Sequence, residues 1–199
     1  MKLKIPLILA SGSPRRKQIL EALHIPFDVQ MANIEEAHLP GEHPAEMVVR
    51  LAQMKAQAVS SMRKSALVLA ADTTVQLDEE LLGKPADKAD SIQMLQRLSG
   101  RSHTVLTGIA LLHNESMRAS TAFESTLVTF DDIGEDEIVD YVDTGTTLDK
   151  AGSYGIQDDR GALFISRIEG DFFNVMGLPL NRLYRLLKTD FGDLIVRKG

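Results

Sequence analysis

With 199 residues, 44% of them hydrophobic and 25% charged, the chain has the make-up of one globular domain, or of one compact body with two lobes, and not of a disordered segment. It contains no cysteine, which excludes a disulfide scaffold, a thiolate metal centre and a thiol nucleophile. Twenty-eight acidic against 22 basic residues give a net charge of −6, the wrong balance for a sequence-independent nucleic-acid binder, so an anionic ligand has to be met by a local cluster of bases.

The longest uniformly apolar run, Ala66–Ala71, falls far short of the ~20 residues needed to cross a bilayer. Pro6 and Arg15-Arg16 interrupt any signal-peptide core behind the amino-terminal lysines, so no export signal is read and a cytoplasmic protein is expected. Without repeats or low-complexity tracts, residues 1–199 are taken as a single domain, with 190–199 as a loosely held tail.

Ile5–Ala10 is expected to form a short buried strand. It leads through Ser11-Gly12-Ser13-Pro14 into a helix running to about Leu23, with Ser13 as cap, Pro14 in the first turn and Ile19, Leu20 and Leu23 facing inward. Pro44 to about Met62 carries the longest helical pattern. Ala66–Ala71 is expected as a second buried strand ending at Asp72-Thr73-Thr74, with a further strand and turn over Val75–Glu80. Asp87–Leu98 is helical and Gly100 lies just past its end. Strands are expected over Thr104–Leu112 and Ala122–Phe130, a short helix over Glu135–Val142, a strand over Leu163–Ile168 and a closing helix over Pro179–Leu187. Interleaved strands and helices make the class α/β, with a mixed sheet favoured over a purely parallel one.

Several segments could carry chemistry. Two arginines in the first turn of the helix after Ser11–Pro14 oppose the helix dipole, which makes sense if an anion rests on that end; a solvated Arg-Arg pair is the bland alternative. The spacing is not that of a Walker loop. Lys55 falls on the same helical stripe as Val48, Leu51, Val59 and Met62, where a lysine either snorkels out or projects into a cleft. Asp72, at the expected carboxyl end of a strand, suits magnesium ligation, proton acceptance from water or an Asx-turn, and Glu35-Glu36 could add a second carboxylate. Lys84, between Gly83 and Pro85, and the polar loop Asp149–Gln157 complete the set, with Gln157 able to read a base edge through its amide. The five histidines show no metal-ligand spacing and are taken as structural or exposed, and the eight methionines as core filler.

The blocks Leu9-Ala10-Ser11-Gly12-Ser13-Pro14-Arg15-Arg16, Ala71-Asp72-Thr73, Gly83-Lys84-Pro85, Leu98-Ser99-Gly100 with His103, and Thr107-Gly108 occur in that order. Asp149-Lys150-Ala151-Gly152, Tyr154-Gly155-Ile156-Gln157 and Val175-Met176-Gly177-Leu178-Pro179-Leu180 follow, so the series spans nearly the whole chain. In this the sequence resembles the Maf-type nucleoside triphosphate pyrophosphatases, and specifically the branch acting on dTTP and UTP rather than that acting on 7-methyl-GTP. The resemblance implies a two-lobed α/β fold of the Maf/ITPase kind with a nucleotide cleft. It also implies divalent-metal-dependent (magnesium or manganese) hydrolysis of a nucleoside triphosphate to the monophosphate and pyrophosphate. Carried over residue by residue, it implies Asp72 as general base and metal ligand and Glu36 as metal ligand. Ser11, Arg15, Arg16, Lys55 and Lys84 would line the phosphates, and Arg15, Thr73 and Gln157 would set base selectivity. Asp158-Asp159 follows Gln157 where family members often have glycine. A housecleaning role against noncanonical nucleotides is the implied biology. The alternatives are a nucleotide-binding regulator of septum formation, which would bind without turnover, and a transferase needing a second acceptor. No nucleic-acid or membrane partner is expected, and a symmetric homodimer is expected on base rates alone.

Overall fold

A computed structural model of the chain describes residues 2–22, 24–158 and 160–196. In chain order its elements are β1 (Leu7–Leu9), α1 (Pro14–Ala22), β2 (Asp28–Val29), α2 (Pro44–Met62), β3 (Leu67–Leu77), β4 (Glu80–Leu82), α3 (Lys88–Leu98) and β5 (Ser102–His113). They continue with β6 (Arg118–Phe130), α4 (Glu135–Asp143), β7 (Ile165–Glu169), α5 (Phe172–Met176) and α6 (Leu180–Asp190), with short 3₁₀ turns near 151, 161 and 192. Among the described residues the strands form one mixed sheet in the order β2-β1-β3-β5-β6-β7, with β4 pairing to β3. The α/β class and the mixed sheet expected from the sequence are both present. No helix among the described residues is long and apolar enough to cross a membrane.

The chain divides into two compact units, each assembled from separate stretches: Met1–Asp72, Thr107–Glu124 and Gly177–Gly199 in the first, Thr73–Leu106 and Ser125–Met176 in the second. In the first unit β1 runs parallel to both β2 and β3, with Ile8 opposite Asp28 on one side and Val68 on the other. One face of these strands packs on α2 through Ile8, Ala10, Val68, Ala70 and Ala110 against Ala52, Ala56 and Val59. The small residues let the helix approach closely: a Cβ on Gly108 of β5 would lie 2.3 Å from the Val48 carbonyl, inside the helix backbone. Pro44 opens α2 and the His43 ring nitrogen accepts a hydrogen bond from the Ala45 N–H at 3.3 Å, meeting one of the donors a helix start leaves unpaired.

In the second unit the end of β3 turns at Asp78, in the left-handed region at φ 53°, into the antiparallel β4, with Val75 opposite Leu82. Asp87 caps α3 by accepting from the Asp90 N–H at 2.9 Å. The core here is aromatic. Phe130, Tyr154 and Phe164 meet edge to face with each other or with His103 and Tyr141, and Leu95, Leu98 and Ile138 close round them.

Three expectations differ from the structure, and two short elements were not expected. The strand read as ending at Asp72 runs on unbroken to Leu77, so Asp72 sits in the middle of β3 and not at its carboxyl end. The polar triplet looked like a break, yet β-branched Thr73, Thr74 and Val75 suit an extended chain and Thr74 and Val75 are buried. The strand expected over Leu163–Ile168 begins at Ile165, because Gly161–Phe164 is a 3₁₀ turn and Leu163 stands 76% exposed. The short β2 and α5 were not read from the sequence at all. Over residues 190–196 the expected loose tail is instead tied down. Phe191 is fully buried, Leu3 and Ile195 form a bridge, the Lys4 N–H donates to the Leu194 carbonyl, and Arg118 pairs with Asp193 at 2.7 Å. Leu23, where the first helix was expected to end, Asp159 and residues 197–199 lie outside the described residues.

Candidate active site

In the first unit the loop after β1 folds over the amino end of α1. Ser11 is buried, and its Oγ accepts from the Ser13 N–H at 3.2 Å and from Arg16 Nη1 at 3.1 Å. Arg16 Nε donates to the Gly177 carbonyl at 2.8 Å, so the guanidinium is pinned at two edges across a long stretch of sequence. Burial pulls Arg16 below the ordinary guanidinium value, neighbouring Asp72 and Glu36 counter this, and Arg15 adds to it. A cation in that position gains from an anion brought to it. The Ser13 cap is long: the Arg16 N–H lies 3.5 Å from Ser13 Oγ.

Lys55 resolves its two sequence readings. The side chain does not snorkel out; it is buried, and its Nζ donates to Asp72 Oδ1 at 2.6 Å and to Glu36 Oε2 at 2.7 Å. Asp72 is itself 8% exposed, whereas the Glu36 side chain is about half exposed. One ammonium thus joins a carboxylate from mid-strand and a carboxylate from a loop, bringing together three of the residues singled out in the sequence. The loop with Glu36 is anchored by a residue that the sequence did not reveal. Arg50 on α2 forks onto Glu42 with two bonds of 2.6 Å and donates to the Ala37 carbonyl at 3.0 Å. The fork holds the Glu42 carboxyl below its usual range. Only the spacing of five residues from Lys55 could have hinted at it, and that spacing has no special meaning on a helix.

Among the described residues no group of three or more His, Asp or Glu side chains could hold a metal by itself. The pair Asp72 and Glu36 nevertheless fits a hard divalent cation such as magnesium, which takes one or two carboxylates and completes its shell with water and phosphate oxygens. That both carboxylates reach one ammonium shows that they converge on a common positive charge.

The second unit holds Thr73, Lys84 and Gln157. Thr73 is half-buried on β3, and Lys84 is exposed just after β4. The Gly152 N–H donates to the Gly83 carbonyl at 3.0 Å, so the Gly83-Lys84-Pro85 turn and the Asp149–Gly152 loop are fastened to each other. Gln157 Nε2 donates to Asp158 Oδ1 at 2.9 Å. Asp158 Oδ2 accepts from the Tyr141 hydroxyl at 2.9 Å and pairs with the buried Lys150 at 3.1 Å. Nothing in the sequence pairs Tyr141 or Lys150 with Asp158, although Lys150 belongs to the loop singled out above, because that pairing forms only once the loop has closed. The histidines are structural or exposed, as expected: His103 bonds to the Tyr154 hydroxyl at 2.7 Å and His113 to Ser116 at 2.7 Å.

A family model described as "Maf-like protein" matches residues 6–190. Among curated proteins, the chain is 48% identical to a dTTP/UTP pyrophosphatase of Salinibacter ruber, over 98% of this chain and 96% of that protein. It is 50% identical to a dTTP/UTP pyrophosphatase of Symbiobacterium thermophilum, over 97% of each. Among solved structures, a HAM1 protein from Coxiella burnetii aligns over 92% of this chain and 98% of that one, at a TM-score of 0.49 and 17% identity.

Proposed function

From the premise that the chain belongs to the Maf-like family, we propose that it is a nucleoside triphosphate pyrophosphatase that hydrolyses dTTP and UTP to the monophosphate and pyrophosphate. The observation that carries the reading is the Glu36–Lys55–Asp72 cluster, within electrostatic reach of the half-buried Arg16. Relatives bearing the name dTTP/UTP pyrophosphatase match nearly the full chain and give the substrate.

In this reading Asp72 and Glu36 would hold a divalent cation, magnesium or manganese, whose charge would offset that of the phosphate oxygens. Arg16, fixed by Ser11 and Gly177, presents its guanidinium to the triphosphate, and Arg15 in the same helical turn adds a second. Lys55 turns its ammonium from the carboxylates toward the phosphate chain, and Lys84 supplies a further charge. Asp72 orients a water and takes its proton as the water oxygen bonds to the α-phosphorus. The bond from that phosphorus to the α–β bridging oxygen breaks, and the pyrophosphate leaves against the bases. Thr73 and Gln157 face the base. The proposal includes a cytoplasmic location, a role in removing noncanonical nucleotides and a homodimeric state.

Pyrophosphate release from dTTP, UTP, CTP, GTP and 7-methyl-GTP, with magnesium or manganese, tests the reaction. Metal-dependent release favouring dTTP and UTP, lost by a factor of about 10³ or more in Asp72→Asn, is the expected result. Orthophosphate instead of pyrophosphate would show that a different bond is cut. Nucleotide binding with no turnover would replace the enzyme by a regulator.

A further inference from the structure

We propose that Asp158 is a positioning residue which fixes the orientation of the Gln157 amide and so decides which pyrimidine the site accepts. The inference rests on the pyrophosphatase reading with Gln157 facing the base. A glutamine amide is ambidextrous: a half-turn of its outer torsion exchanges a donor for an acceptor at nearly the same place. Gln157 alone could therefore meet uracil, with a donor N–H at ring position 3, or cytosine, with an acceptor there. Base selectivity needs something that prevents the half-turn.

Asp158 provides it. A carboxylate only accepts, so the amide nitrogen has to face Oδ1 and the amide oxygen has to face away. The reverse orientation would set two oxygens against each other 2.9 Å apart in place of a charge-assisted hydrogen bond. The carboxylate cannot yield by turning, because Tyr141 and Lys150 both hold Oδ2. Lys150 is in turn held by Asp149 at 3.1 Å and by the Thr146 carbonyl. Tyr141 accepts from the Gly155 N–H at 3.1 Å, and burial together with the Asp158 charge pushes its hydroxyl pKa upward, so it remains a donor. The backbone also takes part. A Cβ on Gly155 would lie 2.8 Å from Gln157 Nε2 and 2.6 Å from Asp158 Oδ2, so both side chains fold back over a position that only glycine leaves open.

The consequence is an oxygen with one chemical demand. Gln157 Oε1 is screened from solvent and, among the described residues, accepts no hydrogen bond. It is a buried acceptor that lacks a donor, and the position-3 N–H of uracil or thymine is such a donor. Cytosine offers a lone pair at that atom and would leave the acceptor unmet. The remaining N–H of Nε2 can meet a ring carbonyl beside the imide. Because the oxygen is screened, the base reaches it only as its local cover gives way, without release of the nitrogen from Asp158.

The test compares kcat/KM for UTP and CTP in the wild type, Asp158→Asn and Asp158→Gly, with equilibrium binding of UMP and CMP measured in parallel. Asparagine keeps the shape but can donate as well as accept, so it permits both amide orientations. In Asp158→Asn the UTP-to-CTP ratio should fall about tenfold or more, the worth of a charge-assisted hydrogen bond. The fall should come chiefly from a rise in the CTP value, and the UMP-to-CMP binding ratio should fall with it. Asp158→Gly should lose discrimination in the same direction. Equal losses on both substrates, with the ratio changed less than twofold, would overturn the positioning role and leave Asp158 as loop support. An inactive wild type would defeat the pyrophosphatase reading instead. In that case an unchanged UMP-to-CMP ratio in the variants would independently overturn the role of Asp158.

Discussion

Replacing Lys55 with methionine keeps the length and most of the volume of the side chain and removes only the ammonium. In the structure that ammonium is the cation facing Asp72 Oδ1 at 2.6 Å, and both side chains are about nine-tenths buried. Taking one partner from a buried pair leaves an uncompensated charge, which costs about 3–5 kcal/mol. The second contact, to a half-exposed Glu36, adds little because water screens it. Since Asp72 retains some exposure, the low end applies, about 3 kcal/mol, or a fall in Tm of roughly 6–12 °C for a chain of this size. Thermal unfolding of Lys55→Met, Asp72→Asn and the double variant gives the decision. If the uncompensated carboxylate is the cause, the double variant recovers most of the loss shown by Lys55→Met, and the two changes are strongly non-additive. Additive losses, or a fall below about 2 °C for Lys55→Met, would refute the reasoning. The same variants test the proposed cation site: in Lys55→Met magnesium would no longer compete with an ammonium for the two carboxylates, so millimolar magnesium should raise Tm more than in the wild type.

Other consequences follow from single contacts. Gly108→Ala would drive a Cβ to 2.3 Å from the Val48 carbonyl, an overlap with helix backbone that no rotamer relieves, and should cost about 3 kcal/mol or more in thermal unfolding. His103 is buried and its pKa is pushed down to about 4 by desolvation. Because the unfolded chain takes up the proton first, near pH 6.5, this contribution is intact above that pH and is lost as pH falls from about 6.5 to about 4, by about 3 kcal/mol in all. The difference between the stability–pH curves of the wild type and His103→Gln isolates it. Arg50→Ala should weaken magnesium binding by about tenfold, the low end of what losing a group that holds a metal ligand in place costs, because it frees the loop carrying Glu36 while leaving Asp72 and Lys55 in place; isothermal titration with magnesium checks this.

What the sequence made legible was mostly periodic or punctuated. α2 appears with the bounds read from its stripe, because Pro44 fixes its start and the apolar spacing holds to Met62. α3 likewise follows from the Asp87 cap and Gly100, which takes φ 66° beyond its end. Asp72 was placed at a strand end because a charge after six apolar residues looks like a boundary. Strand polarity changes there while the extended backbone continues, and composition alone does not separate the two. The two-residue β2 carries no period to detect, and the anchoring of residues 190–196 depends on a bridge to Leu3 across almost the entire sequence. The candidate residues were found as isolated blocks. Which of them share a charge, as Lys55 does with Glu36 and Asp72, is a matter of tertiary pairing.

That pairing also bears on why the cluster exists. Lys55 lies on the apolar face of α2 one turn from Leu51 and Val59, and Asp72 lies in mid-strand, where the neighbouring residues are buried. Desolvating two charges there costs several kcal/mol, and their mutual attraction does little more than return it. A methionine and a leucine of similar volume would leave the first unit as stable or more so. The pair is therefore poorly explained as a device for holding the fold, and well explained as a store of opposite charges kept close to a ligand. When an anion and a divalent cation arrive together, the ammonium can turn to the first and the carboxylates to the second, with neither charge left alone at any stage. Arg16, drawn below its ordinary pKa by burial and held by Ser11 and Gly177, would answer the same anion without having to move. Under the proposed function, a chain with six more acids than bases would meet a polyphosphate by this local exchange of partners, not by its overall field.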